Sequence, residues 1–133
     1  MPDVMKLLLV RAGRGRFGVA ADAVIQILDP AIDPDFKVAI EQGEVVHRGR
    51  RFPIEDLREE TGWPAVAAPV YVLLEKDGRC AAVGVDFADS IRDVADGAVA
   101  PLPEFIFARP RRVQALVEVE GDAVLLLDMA AIL

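Results

Sequence analysis

Two stretches of this chain repeat one pattern at a spacing of seventy-two residues. Val45–Leu57 reads VVHRGRRFPIEDL: an apolar pair, an Arg48-Gly49 turn, then a strand running to Asp56-Leu57. Glu120-Gly121 is again a turn between apolar strands, and Ala123–Leu127 runs to Asp128-Met129, so both copies read glycine, six residues, aspartate, apolar residue. Glycine suits both turns because it adopts positive φ without a Cβ clash, which tight hairpins demand. A second echo precedes each of these, in the same order: Gly13–Asp22 and Gly78–Asp86 are each a glycine turn, an apolar strand and an aspartate. The chain therefore reads as a pseudo-repeat of one small β unit, with halves at about 1–64 and 65–133.

The segments between the echoes are strand-like and short. Lys6–Arg11 (KLLLVR) is a continuous apolar run, the pattern of a strand covered on both faces. Val24–Leu28 is rich in β-branched residues, and Val70–Leu74 with Cys80–Phe87 forms a hairpin around Lys76-Asp77-Gly78. Asp29–Phe36 and Ala98–Phe105 carry the prolines and aspartates of loops, Val38–Gln42 reads as a helical turn or an irregular edge, and Trp63–Pro69 reads as a linker between halves. Leu57–Gly62 is a candidate helical turn, and Met129–Leu133 a terminal turn or stub of helix. About ten short strands with turns between them predict a mainly β fold, two small barrels packed together. Pro53 cannot donate to a ladder, so its strand is expected at an edge or with the proline facing outward.

Composition narrows the function classes. Hydrophobic residues make up 53% and charged residues 28%, a large core under a charged skin. No apolar run is long enough to span a bilayer as a helix, so direct membrane insertion is not expected. A single cysteine, Cys80, forms no internal disulfide and points to a reducing, cytoplasmic setting. One serine, one threonine, one histidine and no asparagine leave little for nucleophilic catalysis, and His47 has no companion motif. Asp29, Asp33 and Asp35 match no calcium loop, and Gly13-Arg14-Gly15 lacks the helix that a phosphate loop requires, so neither metal nor cofactor is expected. Small barrels often bind single strands, but a net charge of −7 and 6% aromatic residues argue against nucleic acid.

The ordered set RGRRFPIEDLREETG, VYVLLEKDGRCAAVGVDFADSIRDV, PLPEF and a closing LLLDMAAIL resembles the CheW-like domain of bacterial chemosensory systems over nearly the whole chain. The matching positions are Arg48, Gly49, Pro53, Ile54, Asp56, Leu57, Val85, Asp86, Pro101 and Pro103. The resemblance implies two SH3-like five-stranded β-barrels sharing a hydrophobic centre. It also implies a non-enzymatic adaptor between a chemoreceptor and a CheA-type histidine kinase, docking by its barrels and by a groove between them, and able to associate with copies of itself. A divergent accessory member with a different protein partner is the alternative reading.

Carried over by position, Arg48 and Gly49 are the candidates for partner contact. Pro53, Asp56, Asp86, Gly121 and Asp128 are expected to shape turns and strand ends, with Asp56 and Asp128 each capping the turn after it. Arg50 and Arg51 extend a basic cluster beside the turn.

Overall fold

The computed structural model describes residues 4–13, 15–33, 35–39, 42–57, 68–101 and 113–133. The strands are β1 (Val4–Ala12), β2 (Gly15–Ala20), β3 (Val24–Leu28), β4 (Phe36–Ala39), β5 (Glu44–His47), β6 (Arg50–Asp56), β7 (Val70–Lys76), β8 (Arg79–Val85), β9 (Phe87–Ala95), β10 (Val99–Pro101), β11 (Val113–Val119) and β12 (Asp122–Leu127), with the short helix α1 (Met129–Ile132) at the end. They form two six-stranded sheets, ordered β10-β11-β12-β2-β1-β9 and β3-β7-β8-β6-β5-β4.

Matching β1–β6 with β7–β12 in order makes the two sheet sequences identical. The echo is thus a repeat of strand order, but neither sheet is built from one half. β1 and β2 join β9–β12, while β7 and β8 join β3–β6. Each half lends its first hairpin to the other half's sheet through a parallel pair, Leu126 beside Gly18 in one and Ile54 beside Ala82 in the other.

The first sheet is strongly curled. β9 and β10 are its two edges, yet only the 3-10 turn Asp96–Ala98 separates them. Four residue steps reach about 14 Å at most, whereas the edges of a flat six-stranded sheet would stand about 24 Å apart.

Curling gives the central strands β1, β7 and β8 two buried faces, which explains their uninterrupted apolar runs. Along β1, Leu8, Val10 and Ala12 face a central cluster, and Leu7 faces the interior of its own sheet. Along β7, Val72 and Leu74 face the same centre, while Tyr71 and Leu73 face inward with Phe36, Val45 and Phe52. Three clusters result: one inside each curled sheet and a shared one between them, where β1, β2, β7 and β8 meet. At 25 cal/mol per Å², each fully buried leucine or valine contributes about 2 kcal/mol.

Several details depart from the sequence expectation. Each sheet has six strands where the resemblance implied five, and short strands account for the higher count: β4 falls in the stretch read as loop and irregular edge, and β10 inside the proline-punctuated stretch. β6 is internal to its sheet, so of the two expectations for Pro53 the outward-facing ring holds and the edge does not; the residue stands where β6 changes neighbours. Residues up to Pro53 pair with β5, and residues from Ile54 pair with β8, so the missing N–H falls at the handover and the ring is exposed. The candidate helical turn after Leu57, Trp63 and Pro103 lie outside the described residues.

Candidate partner-binding surface

The β5–β6 hairpin closes through Arg48 and Gly49, at φ 50° and 79°, with His47 paired to Arg50. Positive φ at both central residues is the two-residue geometry whose twist matches the flanking strands. Both residues are exposed, and Arg48 N donates to Asp35 O at 3.3 Å, which ties the tip to the segment before β4.

The three arginines of this tip have different surroundings. Arg50 forms an ion pair with Glu75 and lies 5.0 Å over the Phe52 ring. The hydrogen bond to the Glu75 carboxylate, against a smaller opposing effect of desolvation, raises the Arg50 pKa above its ordinary value. Arg51 sits 3.6 Å from Glu44, with its side chain 75% exposed. Among the described residues the Arg48 guanidinium has no hydrogen-bond or ion-pair partner. It is the cation of the tip most available to another molecule.

The equivalent tip of the other sheet carries the opposite charge. Glu120 and Gly121 adopt φ 52° and 84° between β11 and β12, and Glu118, Glu120 and Asp122 stand where the first tip has Val46, Arg48 and Arg50. Asp122 pairs with Arg16 and Glu120 with Arg92. The two halves thus share a backbone and present different electrostatics.

The remaining expected positions are dispersed along turns and strand ends. Asp86 Oδ2 accepts from Gly13 N at 2.7 Å, so the residue between β8 and β9 holds the β1–β2 turn. Asp128 is the N-cap of α1, its Oδ1 accepting from Ala130 N at 3.0 Å. The Asp56 backbone pairs with Gly84, and its side chain lies outside the described residues. Cys80, the only cysteine in the chain, donates from Sγ to Arg51 O at 3.5 Å, a contact across to the hairpin region.

Sequence reading missed two isoleucines. Ile91 on β9 is paired with Leu8, and Ile27 on β3 with Val72. Leu8 and Val72 are 2% and 0% exposed members of the central cluster, whereas Ile91 and Ile27 are 57% and 45% exposed. Both pairs are related by the same repeat offset. They place apolar side chains on each flank of the centre between the sheets, the kind of shoulder that an apolar anchor from a partner fits. The offset between β1 and β7 relates the two isoleucines to each other, but no sequence signal marks them as exposed.

A crystal structure of the scaffolding protein TtCheW from Thermoanaerobacter tengcongensis is similar in fold, with a TM-score of 0.73 at 15% identity, covering 96% of this chain and 90% of that one. No curated protein matches the chain by sequence. The family model described as CheW-like domain matches residues 6–133. With the duplicated two-lobed β architecture and an almost complete family match together, the chain belongs to the CheW-like domain family.

Proposed function

We propose that this protein is a non-enzymatic cytoplasmic adaptor that couples a chemoreceptor to a CheA-type histidine kinase through protein–protein contacts. The observation that carries the reading is the β5–β6 tip: Arg48 and Gly49, the positions to which the sequence resemblance points, are exposed and leave one cation free of intramolecular pairing among the described residues. A two-residue turn fixes the backbone that carries that guanidinium, so only the side chain has to be ordered on contact, and a charged group at a docking rim sets orientation and association rate. Ile27 and Ile91 supply apolar contact on the shoulders between the sheets.

The test is capture of the tagged protein from native extract, with the retained proteins identified, beside an Arg48→Glu control. A histidine kinase or chemoreceptor retained by the parent and lost by the variant is expected. Retention of either partner unchanged in the variant removes Arg48 from the contact, and retention of neither removes the adaptor reading.

A further inference from the structure

The equivalent edge strands β3 and β9 are protected differently. Each is the last strand of its sheet and is hydrogen-bonded on one side, β3 to β7 and β9 to β1. Among the described residues no strand pairs with their other sides. Exposed edges template pairing with other chains, and charged side chains on the strand are a common protection. β9 carries Asp89, Arg92 and Asp93. β3 reads VIQIL and carries no charge.

The unprotected edge is also apolar. Ile25 and Ile27 are 50% and 45% exposed, and Ile32, just beyond the strand, is 75% exposed. Ile32 is held out by a braced turn: Asp29 Oδ1 accepts from Ala31 N at 2.8 Å, Asp33 Oδ2 accepts from Asp29 N at 2.6 Å, and Asp29 O accepts from Ile32 N and Asp33 N. Presenting an isoleucine on a preorganised turn lowers the entropy cost of any contact it makes.

Charge selects the occupant. From Phe17 to Phe36 the chain holds Asp22, Asp29, Asp33 and Asp35 and no lysine or arginine. Among the described residues Asp22 has only Lys76 as an ion-pair partner, 3.9 Å away, with both side chains substantially exposed. Antiparallel pairing of β3 with β3 of a second copy would set Asp22 of each against Asp29 and Asp33 of the other, and like charges opposed across a ladder are destabilising. An apolar strand with cationic ends meets the edge and its rim together.

We propose that the free edge of β3 takes up an extended apolar segment of a partner protein flanked by lysine or arginine, added as a further strand beyond β3. The bulge between Val24 and Gln26 leaves Gln26–Leu28 as the regular template. The ladder is therefore short, and the flanking charges carry much of the affinity and all of its salt dependence.

The full chain is titrated with a fluorescent peptide of alternating threonine and valine carrying two lysines at each end, and with the same peptide carrying glutamates. Anisotropy is read at about 50 mM and about 300 mM salt. Binding of the lysine peptide roughly tenfold tighter than the glutamate peptide is expected, weakening with salt. Residue-resolved hydrogen exchange should show new protection within β3. The double variant Ile25→Lys, Ile27→Lys should lose binding about tenfold with its melting curve unchanged, because both side chains are already half exposed. Should that variant fail to fold, Ile32→Lys on the exposed turn serves in its place, with a loss of about threefold expected. Equal affinity for the two peptides, protection confined to other strands, or a dimer of the unliganded protein that the β3 variants abolish would each overturn the proposal.

Discussion

Asp86, the one residue between β8 of one sheet and β9 of the other, holds Gly13: its Oδ2 accepts from Gly13 N at 2.7 Å, and its own N donates to Arg11 O at 2.8 Å. The junction at which the chain passes from one sheet to the other thereby locks the β1–β2 turn. Its repeat equivalent, Asp22, lies after β2 and reaches Lys76 at the end of β7, but only as an exposed ion pair at 3.9 Å. The same backbone position makes a strong clasp in one direction and a weak one in the other.

Asp86→Ala should therefore destabilise the protein by about 1.5 kcal/mol, the low end for a hydrogen bond to a charged group, because this bond is exposed. Asp22→Ala should cost less than about 0.5 kcal/mol, as exposed ion pairs do. Urea denaturation of both variants checks the order. A larger loss for Asp22→Ala would show that the clasp between the sheets has been assigned to the wrong aspartate.

Gly121→Val should cost about 1 kcal/mol or more, since valine at φ 84° is strained even though a Cβ there meets nothing within 4 Å. Gly97→Ala is the control: it has the same open surroundings and no positive φ, so its melting temperature should stay close to the parent's. Equal behaviour of the two variants would mean that the turn tolerates side chains.

The repeat was legible because its anchors are local. Gly13, Gly49, Gly78 and Gly121 adopt positive φ, and residues of that kind show in a sequence as turn chemistry. The exchange of hairpins between halves was not legible, since nothing in Leu7–Val10 or Val72–Leu74 distinguishes burial against one's own half from burial against the other. Pro53 predicted an edge strand or an outward-facing ring; the ring does face outward, and the residue marks a change of partner inside a sheet, a detail that depends on β8 arriving alongside Ile54. Of the candidate surface, the Arg48-Gly49 tip could be read directly. The exposed isoleucines of β3 and β9 could not, because an isoleucine in an apolar strand carries no mark of which face remains uncovered.

Leu8 and Ile91 sit opposite each other on one ladder, yet they differ in exposure at 2% and 57%. Leu8→Ala should lose about 2–5 kcal/mol, the cost of a cavity in the cluster between the sheets. Ile91→Ala should lose less than about 1 kcal/mol, because most of its surface already faces water. Chemical denaturation measures both. A loss at Ile91 comparable to that at Leu8 would show that the shoulder beside the centre is closed.

Because each sheet takes a hairpin from the other half, neither half can complete its own ladder alone. Residues 1–64 would leave β6 without β8 and β3 without β7; residues 65–133 would leave β12 without β2 and β9 without β1. The shared cluster, built from β1, β2, β7 and β8, would also be divided. Separate fragments should therefore show little native β signal in circular dichroism, and an equimolar mixture should recover it as a one-to-one complex in sedimentation. Two copies of one fragment have the right strand order to exchange hairpins with each other, but with mismatched side chains: Gly18 stands where the equivalent position has Ala82, and Arg48 where it has Glu120. The mixed complex should accordingly be more stable than either self-pair. A fragment that folds as a stable monomer would mean that one half closes its own sheet, contrary to the observed pairing of β2 with β12 and β6 with β8.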